Sequence, residues 1–306
     1  MRDFPGQFDD DWARRAERRA RRAHRLRPWI AGTLWVGGVL GLLFGGGYLL
    51  SRFDTSADGS GGNVSPTVNQ IAHVDTAHPF DNTPSAAWQE GAAGIQPPAA
   101  TPVGRFSADT VAATMDRVKQ LIVAARLDPH VLETHDAEPV LALLAQGEVA
   151  ELRSKTLTPG NEAHNWWLSS KLAHGYPLLP VSPRVDGSMT AAQNDKGELA
   201  IHTDYLIAYA FSAPPGRNYT ALDIVAVVRE QVEYDWVQDS NYDDASQGMW
   251  FGEIKGFAYS VNCSLYDQGY LAPNYSNPTL AATGPDPHRP EYYFDPTVPI
   301  QQSSNC

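Results

Sequence analysis

Few side chains in this 306-residue sequence have the type and spacing for chemistry. His202 and Asp204 stand two apart in a run that alternates apolar and polar residues, so both are expected on one face of a strand, where an imidazole and a carboxylate can form an acid/base pair. No nucleophile is marked beside them: there is no GxSxG, Ser-x-x-Lys, phosphate-binding Gly-Lys loop or catalytic-cysteine signature. Trp166 and Trp167 are the bulky residues expected to wall a pocket with His202 and Asp204. With Tyr266, Tyr270, Tyr275, Tyr292 and Tyr293 they would also offer aromatic faces to a peptide or glycan, the alternative being that all of them plug a small core or anchor a long loop.

A second candidate is the acidic loop containing Asp239, Asn241 and Asp243, whose alternate oxygen ligands are how a calcium loop begins. The pattern then fails, because Asp244 stands where that loop needs glycine and Trp250 where it needs glutamate. A solvated hairpin loop is the simpler reading. The remaining histidines form no HExxH or His-x-His pair, and no cofactor motif is present.

Cys263 and Cys306 are the only cysteines. Two cysteines alone do not make a zinc site, and with both on the outer side of a membrane the expectation is a disulfide. That bond would clamp the last residue of a tail, 264–305, that is rich in Pro, Asn, Tyr and Gly and shows no clear period.

The side of the membrane follows from the run Trp29–Leu50, which holds no charged residue and matches the roughly 20 residues needed to cross a bilayer as a helix. Nine arginines precede it and only Arg52 follows closely, so the N-terminus is expected in the cytoplasm. The apolar run is too long for a cleaved signal, and Leu49-Leu50-Ser51-Arg52-Phe53 is a poor cleavage site, which favours an uncleaved signal-anchor. Gly37, Gly41 and Gly45 share one face of this helix and are the expected contact for self-association. Residues 1–27 carry +4 of a total of −12, leaving −16 on the remainder, a sign that argues against nucleic acid or anionic lipid as partners of the outer part.

The elements that must position the candidates follow the span. Residues 1–28 read as the cytoplasmic arm, 29–50 as the anchor, and 51–102 as linker and extended strap. Residues 103–262 read as an α+β domain and 263–306 as the clamped tail. Within the domain, Ser107 is the expected cap of a helix running to Asp128-Pro129. A second helix is expected with Asp136 as cap and Pro139 in its first turn, and another turn or two over Glu148–Thr156. The period then changes to two: Val185–Thr190 a short strand, a turn at Asn194–Gly197, and a long strand whose buried face is Ile201, Thr203, Tyr205, Ile207, Tyr209 and Phe211. Ile224–Val237, of which Ala226–Val232 would also tolerate a helix, and Met249–Val261 complete a curved antiparallel sheet with two or three helices packed on one face.

The order of arginine-rich arm, single span, Pro/Gly linker, Phe106–Leu144 (FSADTVAATMDRVKQLIVAARLDPHVLETHDAEPVLALL), strands and a Cys263…Gly269…Pro273 segment resembles an uncharacterised actinobacterial single-pass membrane protein family. That resemblance implies a bacterial cell-envelope location and no particular activity. In architecture the outer part is similar to cone-shaped NTF2-like domains, among them channel-assembly subunits of secretion and conjugation systems. The expected function is therefore a membrane-anchored extracytoplasmic binding or assembly module, with an envelope protein or glycan as partner. An envelope enzyme built on His202 and Asp204, or a secretion-channel subunit, is the alternative.

Overall fold

The structure is a computed structural model that describes residues 68–69, 72–278 and 288–300. The arginine-rich arm, the expected span with Gly37, Gly41 and Gly45, and Cys306 lie outside the described residues. Among the described residues no helix is long and apolar enough to cross a membrane.

The fold is α+β. Strands β1 (Gln89–Glu90), β2 (Arg184–Gln193), β3 (Leu199–Ala210), β4 (Val225–Val237) and β5 (Gly248–Tyr259) pair antiparallel in chain order to form one five-stranded sheet. Helices α1 (Ala108–Arg126), α2 (Pro129–Thr134), α3 (Glu138–Leu141) and α4 (Gln146–Lys155) precede β2, while α5 (Ala221–Ile224) and α6 (Cys263–Tyr266) are single turns after β3 and β5.

Helix α1 forms where its sequence says it should. The Ser107 side chain accepts the amide of Thr110, and Val111, Met115, Val118, Leu121, Ile122 and Ala125 bury one stripe against the sheet. The expected stop at Asp128-Pro129 is also a start: the Asp128 carboxylate accepts the amide of His130, Pro129 needs no partner in a first turn, and α2 begins there. The second expected helix is the single turn α3, with Ala137 at its cap position, although Asp136 Oδ1 does accept the amide of Glu138 at 3.0 Å. Helix α4 has ten residues and is firmer than its sequence suggested.

Strand β2 is likewise longer than expected. It is zipped to β3 through a turn in which Asn194 Oδ1 accepts the amides of Lys196 and Glu198, both at 3.0 Å, and Gly197 takes a left-handed φ of 77°. The β4–β5 ladder carries a bulge at which Gly252 and Glu253 stand opposite Glu233. The extra residue reverses the alternation of β5, so that Met249 and Phe251 before it and Ile254 and Ala258 after it all face the helices.

The sheet is covered on both sides. Its inner face presents Ile201, Tyr205, Ile207, Tyr209 and Phe211, as expected, to the helices and to the loop bearing Trp167 and Leu168. The outer face has a second, smaller core. Leu206, Ala208, Ala210, Val225, Val227, Phe257 and Tyr259 are covered there by Val68, Val74, Phe80 and Trp88 of the N-terminal strap and by Tyr293 and Phe294 near the C-terminus. This second core covers only half of the strands' length.

Candidate functional site

On the uncovered half of the outer face the strands form an open groove of about 240 Å³. Register builds it in rungs. Ser188, Asp204, Gln231 and Lys255 lie side by side across four strands, and Thr190, His202 and Glu233 form the next rung. Because side chains alternate along each strand, fixing any one of these residues outward fixes the others.

The charges on the groove are nearly all engaged within the molecule. Asp204 receives both Nε and Nη2 of Arg229, at 2.8 and 2.7 Å, and the amide of Gln231 at 2.8 Å. It is thus a structural partner of Arg229 and not of His202, and the acid/base pair expected from the sequence is not formed. His202 instead has Nδ1 3.5 Å from the Glu233 carboxylate. Lys255 pairs with Glu253 at 2.8 Å. Burial, and then the neighbouring Asp235, push the Glu233 carboxyl up to about 7. The bulge matters here: a Cβ on Gly252 would fall 2.9 Å from Cγ of Glu233, so a glycine opposite this side chain leaves it room.

Arg229 is itself 2 % exposed and buried on the outer side of the sheet. Besides Asp204 it donates to the carbonyls of Pro296 at 2.7 Å and Val298 at 2.8 Å. The groove therefore ends where the C-terminal segment begins, and one arginine marks the boundary.

The tryptophans are elsewhere. Trp167 is buried on the inner side, edge-on to Phe251 at 5.2 Å, with its indole N–H donating to the carbonyl of His164 at 3.0 Å. Trp166 lies over Gly256, where an added Cβ would meet its ring at 2.8 Å. Neither shares a pocket with His202 and Asp204, since the sheet stands between them. The tyrosines also divide into separate groups instead of one recognition surface: Tyr293 stacks on Tyr259 at 4.1 Å in the outer core, Tyr275 leans on Tyr219 at 5.1 Å, and Tyr270 meets His135 at 5.3 Å.

The acidic loop spends its oxygens on its own shape. Asp239 accepts the amide of Asn241 and pairs with Arg105, both at 2.8 Å, which together hold its carboxyl below the usual range. Asp243 caps the turn at Ser246, accepting that amide at 2.8 Å. Asn241 is exposed. Among the described residues no group of three or more His, Cys, Asp or Glu converges as a metal site. Cys263 opens α6, and its expected partner Cys306 is outside the described residues.

What sequence reading missed is the polar complement contributed by β4. Arg229, Gln231, Glu233 and Asp235 stand two apart, with Glu230, Val232 and Tyr234 between them, and that period of two was the available signal; only the register with β3 places Glu233 beside His202. No protein family, curated protein or solved structure matches the chain.

Proposed function

We propose that this chain is a membrane-anchored extracytoplasmic binding module of the bacterial envelope, tethered through residues 29–50, and that its ligand seats in the groove around His202 and Glu233. The observation that carries the reading is the division of the outer face: one half is closed by the strap and the C-terminal segment, while the other is left open and polar. Most groove charges already have internal partners, which suits recognition by hydrogen bonding better than bond-breaking chemistry. The helices set over a sheet also support a cone-like, NTF2-like reading of the domain.

The test is a photoreactive residue at Thr190 of the full chain in cells. A covalent adduct with an envelope component, absent when the label sits at exposed Ala87, is the expected result. Equal labelling from both positions rejects the groove as the binding surface. Anchoring is tested separately by alkaline extraction: the chain stays with membranes, and removal of residues 29–50 releases it.

One observation favours the enzyme alternative. Glu233, with a pKa about 7, lies beside His202, and such a pair can transfer a proton near neutral pH. Screening the full chain against envelope substrates with E233Q as control decides between the two.

A further inference from the structure

A cluster of polar side chains is buried at the C-terminal end of α1. There Asn165, Ser169, Ser170 and Lys171 are all buried next to Arg126 and Glu230. Arg126 forms an ion pair with Glu230 at 2.7 Å and donates to the carbonyls of Trp166 and Trp167 and to Ser170 Oγ. The other carboxylate oxygen of Glu230, Oε1, is buried and has no hydrogen-bond partner, in a side chain only 11 % exposed. A buried orphan acceptor of this kind calls for an explanation.

Glu230 borders a cavity of about 10 Å³, the room of a single water, shared with Arg126, Ser169, Lys171, Tyr266 and Tyr270. Lys171 lines one side of it. The ammonium donates to the carbonyl of Glu162 at 3.1 Å and to Asn165 Oδ1, and lies 5.4 Å from the centre of the Tyr270 ring. All three contacts are to neutral groups, so the closed position buries a cation without a carboxylate at ion-pair distance.

We propose that this chamber is a second, gated site, on the sheet face opposite the groove: Lys171 is its plug, and displacement of that side chain lets a small neutral hydrogen-bond donor, of the alcohol or amide class, reach Glu230 Oε1. Arg126 and Lys171 disfavour a cation there, while a neutral alcohol or amide can donate to Glu230 Oε1 as carboxylate or accept from it as acid. The chemistry of both groups bears the mark of closure. Burial pushes Glu230 up to about 7 and Lys171 down to about 8, while Tyr266, which lines the chamber with Arg126 and Tyr270, is pushed above its ordinary range and stays neutral, as do the buried Tyr209 and Tyr234 that feel the charges of Arg126 and Glu230.

Water-soluble carbodiimide with glycinamide, applied to the full chain at pH 6.5 and read by peptide mass spectrometry, tests the plug. Glu230 is expected to react at least about tenfold more slowly than exposed Glu133, to gain that factor in K171A, and to stay protected in K171M, whose side chain keeps the length without the charge. Acetamide in molar excess is expected to slow the reaction of Glu230, and not of Glu133, in K171A. Equal protection of Glu230 in wild type and K171A, with unchanged circular dichroism, overturns the plug. Failure of acetamide to protect Glu230 in K171A overturns the ligand assignment.

Discussion

Arg229 and Asp204 meet in a two-pronged ion pair, 2.8 and 2.7 Å, on neighbouring strands at the line where the outer face changes from covered to open. The arginine is buried and the carboxylate is 27 % exposed, so the pair joins the interior to the groove. The same guanidinium holds the carbonyls of Pro296 and Val298. One side chain therefore fixes the C-terminal segment, the β3–β4 register and one wall of the groove.

Replacing Arg229 by Met leaves Asp204 without its cation and frees both carbonyls. Breaking a buried pair by removing one partner costs about 3–5 kcal/mol, and the partial exposure of Asp204 places this case at the low end. Urea unfolding should show that loss, and limited proteolysis should open the chain near residues 295–300. A variant as stable as wild type would show that the segment is held by Glu291, Tyr293 and Phe294 without Arg229.

Gly187 is the tightest backbone approach in the sheet. Its φ of 147° and its position against β3 mean that an added Cβ would lie 2.7 Å from Cα of Tyr205 and nearer still to the carbonyl of Asp204. Gly187→Ala is expected to cost about 1–3 kcal/mol from backbone strain alone and to shift β2 against β3 beneath Ser188. Thermal unfolding measures the first, and the chemical shifts of Ser188 and Asp204 the second.

The pH dependence follows from Glu230, Glu233 and Lys171. Both glutamates titrate near 7 in the folded chain, against about 4.5 when unfolded, so between those values the folded state holds protons that the unfolded state has lost. Stability therefore falls as pH rises through that window. Lys171, pushed down to about 8, does the reverse from there to its unfolded value near 10.5. A stability minimum is expected between pH 7 and 8. His135, lowered by burial, opposes the glutamates on the acid side, so the comparison with E230Q isolates the effect. That variant should lose about 2 kcal/mol of the difference between pH 5 and 7.5 in urea unfolding. A wild-type profile that rises steadily from pH 5 to 8 contradicts the burial of these groups.

Much of this fold was legible in the residues themselves. Ser107 and the apolar stripe of α1 need only local rules, as do Asn194 and Gly197 in the β2–β3 turn. The inward row Ile201–Phe211 is legible for the same reason: a period of two survives without knowledge of partners. Trp166 and Trp167 were not, because adjacency in sequence to a polar stretch does not say which side of a sheet a loop covers. Nor was the role of Asp204 legible, since its partner is 25 residues on and is chosen by strand register. Glu230 did carry a local signal. It is a charge on the strand face otherwise formed by Ala226, Val228, Val232 and Tyr234, and it answers to Arg126 at the far end of a helix.

The proposed Cys263–Cys306 bond was expected to hold a loose tail, and the described part of that tail gives the bond a different task. Residues 288–300 are already fixed: Tyr293 and Phe294 are buried, Glu291 accepts the amide of Val68 at 2.7 Å, and Arg229 holds two carbonyls farther on. The bond would then act chiefly on the unfolded chain, where closing the loop of 42 intervening residues is worth about 4 kcal/mol in the loop-entropy treatment. Cys263→Ser should therefore lower the urea midpoint while leaving hydrogen-exchange protection of residues 290–298 at its wild-type level. Peptide mapping without reductant first establishes the pairing. If the bond is present and its loss also strips protection from 290–298, the tail depends on the clamp and not on Arg229.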